Sequence, residues 1–118
     1  MATSRILLID DLRNFRDDRE CVIARTSAEA HAILATGEPF DEIWFDHDLG
    51  LLDSGVPDTT MSVVDLLAER AYNDNAYPVR RIYVHTSNSV GSKQIFSSLT
   101  NYGYSAVRVY AGDIFIVD

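Results

Sequence analysis

The sequence has little that would staple it covalently or carry it to a membrane or to DNA. A single cysteine, Cys21, excludes an internal disulfide. Beside Val22 and Ile23 it reads as a small packed residue rather than a nucleophile. No apolar run is long enough to span a bilayer, and "MATSRILLIDD" passes into strand-like residues without a signal-peptide pattern, so a cytoplasmic location and no membrane partner are expected. Positive charge is scarce: ten Lys and Arg stand against eighteen Asp and Glu, a formal net charge of −8. That balance argues against duplex nucleic acid or an anionic surface as the main partner, since both reward a basic face. Lysine is almost missing, with Lys93 set against nine arginines. There are three prolines and six glycines, and no internal repeat, low-complexity tract or linker-like segment. At 118 residues the expectation is one domain, 1–118, large enough to bury a core.

What is present alternates between two kinds of segment. Short apolar runs at 6–9, 21–24, 43–45 and 82–84 lack polar alternation and read as strands buried on both faces; a fifth, 106–110, alternates more. Between them, "TSAEAHAILAT" opens on Thr26 or Ser27 as N-cap and puts Ala30, Ile33 and Leu34 on one side before Gly37. "TTMSVVDLLAERAY" groups Val63, Val64, Leu67 and Tyr72; "SKQIFSSLTNYG" groups Ile95, Phe96, Leu99 and Tyr102. Strands alternating with helices predict an α/β fold of flavodoxin-like type, a parallel sheet of order 2-1-3-4-5 with helices over it. Residues 12–20 are too few and too polar for a full crossover helix, so that helix is expected to be short or missing. The tail "AGDIFIVD" is expected to pair back on the fifth strand as a C-terminal hairpin strand, or to present an edge to a partner; a homodimer is left open.

In an open parallel sheet, ligands bind beyond the carboxyl ends of the strands, near the switch in strand order. Those ends here carry Asp10, Asp11 and Arg13; then Asp46, His47 and Asp48; then "HTSNSVG", starting at His85. Four carboxylates in one crevice repel, about 4 kcal/mol for a pair ~4 Å apart at an effective dielectric of ~20. Either some are protonated or a hard cation such as Mg²⁺ or Mn²⁺ sits among them. The hydroxyls of Thr86, Ser87 and Ser89, the Asn88 amide and the backbone through Gly91 suit a phosphate. Taken singly, Asp10 or Asp48 reads equally as a turn or N-cap residue, and His47 or His85 as an imidazole satisfied by backbone.

The strings "LLIDDLR", "DEIWFDHDLG" and "VHTSNSVG", in this order, resemble the receiver domain of response regulators. They more closely resemble its divergent relative, the cyclic-phosphate-processing receiver-like domain, with an Asp pair followed by Arg, a DHDLG motif and a His-Ser-x-Asn-x-x-Gly segment. The resemblance implies a receiver-like three-layer fold, with Asp10 and Asp11 as metal-binding acids and Asp46 in the position of a receiver's phosphoacceptor. His47 and Asp48 extend the second motif, and His85 and Asn88 match the third. Thr86 replaces the usual Ser and keeps a hydroxyl. No Lys follows the fifth strand, which tells against a phosphorylation-driven switch.

The function so implied is a metal-dependent phosphoesterase acting on a small cyclic phosphate of nucleotide or ADP-ribose type. Asp10, Asp11, Asp46 and Asp48 form the Mg²⁺ or Mn²⁺ set; His85 or His47 acts as general acid; Arg13, Thr86, Asn88 and Gly91 hold the phosphate. The loop "LGLLDSGVPDTT" is expected to close over the ligand. The alternative is a non-catalytic receiver-derived module of a bacterium or phage that binds a phosphate ligand or a host protein.

Overall fold

The direction in which the chain steps across a parallel sheet decides which face each connection covers. In the computed structural model, which describes residues 4–117, the elements run β1 (Ile6–Ile9), β2 (Arg13–Phe15), β3 (Val22–Ala24), α1 (Ser27–Ala35), β4 (Glu42–Phe45), β5 (Asp48–Leu51), β6 (Pro57–Thr59), α2 (Met61–Tyr72), β7 (Arg81–Val84), α3 (Ser89–Asn101), β8 (Ala106–Arg108) and β9 (Phe115–Val117). Five of the strands form a parallel sheet ordered β3-β1-β4-β7-β8. Counting only those strands, the order is the expected 2-1-3-4-5.

From β3 onward every connection steps the same way, so right-handed crossovers put α1, α2 and α3 on one face. There Ala30, Leu34, Val63, Val64, Leu67, Ile95 and Leu99 pack on Leu7, Ile9, Ile43, Phe45, Ile82 and Val84 of the sheet. The step from β1 to β3 runs the other way and must cross the opposite face. Its twelve residues, 10–21, are too few for a helix and a return. They supply a strand instead, β2, and the expected missing helix is observed.

The chain's tail completes that second cover. β9 pairs antiparallel with β2, with Phe15 opposite Phe115 and Arg13 opposite Val117. The expectation that the tail returns to the fifth strand is thus corrected: β8 remains an edge, and the tail joins the first crossover. Phe15, Trp44 and Phe115 form an aromatic slab with centroids 5.0–5.8 Å apart, and Trp44 stacks on Tyr83 at 4.1 Å. The three layers are helices, sheet and a two-stranded ribbon. Asp118 of the quoted tail and residues 1–3 of the quoted start lie outside the described residues.

Other expectations are narrowed or corrected in detail. Thr26, not Ser27, caps α1, its hydroxyl accepting the Glu29 N–H at 3.1 Å. Tyr72, 77% exposed, and Tyr102 leave the packed stripes of α2 and α3 because both sit where those helices run out. The "LGLLDSGVPDTT" segment is a β5–β6 hairpin rather than a free loop. Asp58 anchors it, accepting from the Ser27 hydroxyl at 2.6 Å and the Ser27 N–H at 2.9 Å.

Candidate metal and phosphate site

Ile9, Phe45 and Val84 stand side by side in the register of β1, β4 and β7. The ladder continues one step further, with Asp46 N–H bonded to the Ile9 carbonyl at 2.9 Å and His85 N–H to that of Phe45 at 3.0 Å. Asp10, Asp46 and His85 therefore share one level across three adjacent strands. Strand alternation turns all three side chains toward the ribbon face, away from the helices. One oxygen of each carboxylate and a His85 ring nitrogen fall within 4.8 Å of one another, and all three residues are buried. This group could hold a metal ion.

The charge of the pair is partly offset within the chain. Arg13, at the start of β2, places Nε 2.9 Å from Asp10 Oδ2 and Nη2 3.4 Å from Asp46 Oδ2. Its guanidinium lies 5.4 Å from the centre of the Phe115 ring, so the ribbon holds the cation over the carboxylates. Arg13 thus offsets part of the repulsion between Asp10 and Asp46, and the charge left over acts on Asp11. Asp10 accepts four hydrogen bonds, from His85 Nε2, Arg13 Nε and the backbone N–H groups of Leu12 and Arg13. Burial pushes the Asp10 carboxyl up, but the His85 bond and the two backbone bonds prevail and hold it at about 2. Asp11 goes the other way, raised by burial and by the charges of Asp10 and Asp46.

His85 is 0% exposed, its ring 4.5 Å from that of Phe115, and its Nδ1 finds no partner among the described residues. His47 occupies the rim. Its Nδ1 lies 3.0 Å from Asp48 Oδ1, and the Asn88 amide nitrogen is 3.1 Å from Asp48 Oδ2. That contact, with Asn88 second, lowers the Asp48 carboxyl. Asn88 also caps α3 through the Gly91 N–H at 2.9 Å. A Cβ at Gly91 would come within 2.4 Å of His47 Cγ. Gly91 is thus where α3 approaches His47, and the need for a side-chain-free position explains it. Gly50, at φ +79°, lets the β5–β6 hairpin pass Asp11, with 3.4 Å between a built Cβ and Asp11 Oδ2.

The nominated residues therefore divide. Asp10, Arg13, Asp46 and His85 form the inner cluster. His47, Asp48, Asn88 and Gly91 form a linked outer group, Asp11 stands beside the hairpin, and Thr86 Oγ1 accepts the Asn88 N–H at 3.1 Å. The reading of residues overlooked Phe115, which covers Arg13 and His85, and Arg25, whose Nη1 donates to the carbonyl of Arg13 at 2.7 Å and of Asp10 at 3.3 Å. Arg25 directly follows β3, at the same sheet end as the nominated residues, and that position was its available signal.

A family model described as cyclic-phosphate processing receiver domain matches residues 5–101. Neither the search of curated proteins nor that of solved structures returns a match. The chain belongs to the cyclic-phosphate processing receiver family.

Proposed function

From that membership we propose that the protein is a metal-dependent phosphoesterase that opens a small cyclic phosphate of nucleotide or ADP-ribose type. The observation that carries this is the single level of Asp10, Asp46 and His85 with Arg13 laid across it, in a chain of this family. Hard carboxylate oxygens favour Mg²⁺ or Mn²⁺, which Asp46 and the neighbouring Asp11 would hold, with Asp10 joining where it gives up one of its four hydrogen bonds. Such an ion supplies polarisation of the phosphorus–oxygen bond and a more acidic water.

The chain's own residues do the rest. Arg13 can exchange its Asp46 contact, the longer of its two at 3.4 Å, for a phosphate oxygen while keeping Asp10. His47 is better placed than His85 to protonate the leaving oxygen: Asp48 accepts from its Nδ1, so that in the imidazolium form Nε2 donates, whereas His85 is enclosed under Phe115. Water adds to phosphorus, the ring phosphorus–oxygen bond breaks, the leaving oxygen takes the His47 proton, and a carboxylate of the cluster takes the proton from water. The product is a phosphomonoester.

A second reading has its own support. Arg13 already places a cation of the chain's own across Asp10 and Asp46, as suits a module that binds a phosphate ligand or a protein partner without turnover. Phosphorus NMR with Mg²⁺ or Mn²⁺ and a panel of cyclic phosphates separates the two. Opening of a substrate by the native chain and not by Asp46→Ala, with both folded, supports the enzyme. Binding shifts without turnover support the module, and spectra unchanged with every phosphate would sink both phosphate-based readings.

A further inference from the structure

The loop that brings Asn88 to the site also borders a cavity of about 420 Å³, lined by Thr86, Ser87, Ser89, Arg108 and Tyr110 among others. A larger groove of about 890 Å³ along α3 shares Ser89 and Arg108 with it and adds Lys93. No carboxylate lines either. Four arginines pair with carboxylates, Arg5 with Glu38, Arg19 with Asp17, Arg80 with Glu42, and Arg13 with Asp10 and Asp46, while Arg16 and Arg70 donate to backbone carbonyls. Lys93 and Arg108 make no ion pair among the described residues. In a chain of net charge −8 this is a local reversal of sign.

The groove is also built to present what it holds. Arg108 Nε donates to the buried Ser92 hydroxyl at 2.8 Å, which fixes a guanidinium that lines both cavities. Tyr110 is 89% exposed, yet its ring rests against Gly112, where a Cβ would come within 2.3 Å of Cε1. An exposed aromatic face beside two uncompensated cations and several hydroxyls matches the chemistry of a nucleotide, whose base stacks and whose phosphates need positive charge. Arg108 lines both cavities and Lys93 the larger one, so the space offers two cations to a ligand with two phosphates.

We propose that the joined cavities bind a nucleoside diphosphate moiety, with Arg108 and Lys93 on its phosphates and Tyr110 against its base. This deepens the proposed function, on which it rests for the place of the cyclic phosphate, by giving the substrate a second, remote anionic group. The test is calorimetric titration of the full chain with ADP in the presence of EDTA, with AMP and inorganic pyrophosphate as further probes. The native chain should bind ADP more tightly than AMP. Lys93→Gln with Arg108→Gln should weaken ADP by roughly tenfold or more. Tyr110→Ala should weaken ADP but not pyrophosphate, Tyr110→Phe should retain native affinity, and Asp46→Ala should leave ADP binding in place. Lys93, Arg108 and Tyr110 are exposed and Asp46 is buried, and melting curves check that each variant folds.

Absence of ADP binding, an affinity indifferent to the double substitution, or loss of ADP binding in Asp46→Ala alone would overturn the proposal. The last result would put the diphosphate on the carboxylate cluster. ADP binding that persists in a chain that opens no cyclic phosphate would remove the proposed activity while keeping the groove, so the two failures are distinct.

Discussion

Asp10 and Asp11 are neighbours in the chain with opposite ionisation behaviour, and the difference sets a pH dependence. Asp10 falls from an ordinary value of 3.8 to about 2. A lowered acid stabilises the fold above its unfolded value and loses that contribution as pH drops through the folded one. The loss therefore lies between about pH 4 and pH 2 and amounts to about 2 kcal/mol. Asp48, also lowered, adds in the same direction, whereas the raised Asp11 opposes folding once it ionises. Melting curves across this range should fall steeply for the native chain and less steeply for Asp10→Asn; parallel curves would contradict the account. At this scale the sequence marked Asp10, Asp46 and His85 well, because residues that directly follow adjacent parallel strands must meet. It left Arg13 as a phosphate ligand rather than a counter-ion, since that contact depends on β2 folding back across the sheet. The burial of His85 was illegible for the same reason: its lid, Phe115, is thirty positions away.

The elements show how few residues a layer needs when strands replace a helix. β2 and β9 have three residues each, yet with Phe15 and Phe115 inward they close a whole face of the sheet. Phe115 touches Phe15, Trp44, His85 and Arg13, so Phe115→Ala should cost about 3–5 kcal/mol. Val117→Ala, at the exposed end of the same strand, should stay within about 0.5 kcal/mol. Denaturant titration of both variants checks this, and equal losses would mean that the ribbon is held by pairing rather than by packing. The helices and central strands were legible from apolar runs and caps. The ribbon was not, because "LRNFRDDRE" and "DIFIVD" carry their partner information in each other and not in any local period.

Over the whole molecule, an excess of eight negative charges works against compactness, since surface acids repel across distances that salt can screen. Raising NaCl from about 10 mM to about 500 mM, which shortens the screening length several-fold, should raise the melting temperature. A midpoint that falls instead would show that ion pairs such as Arg5–Glu38 and Arg80–Glu42 outweigh the net repulsion. Composition foretold the acidic surface but not that two of its few cations would share one groove, which follows from where α3 and β8 come together. The β2–β9 pairing has a further consequence for biosynthesis. Phe15 and Phe115 are partners 100 residues apart, and translation at about 5–20 residues per second separates their emergence by roughly 5–20 s. Until Phe115 emerges, Leu8, Phe15 and, once it is made, Trp44 lack their cover on this face, and there a chaperone would find its grip.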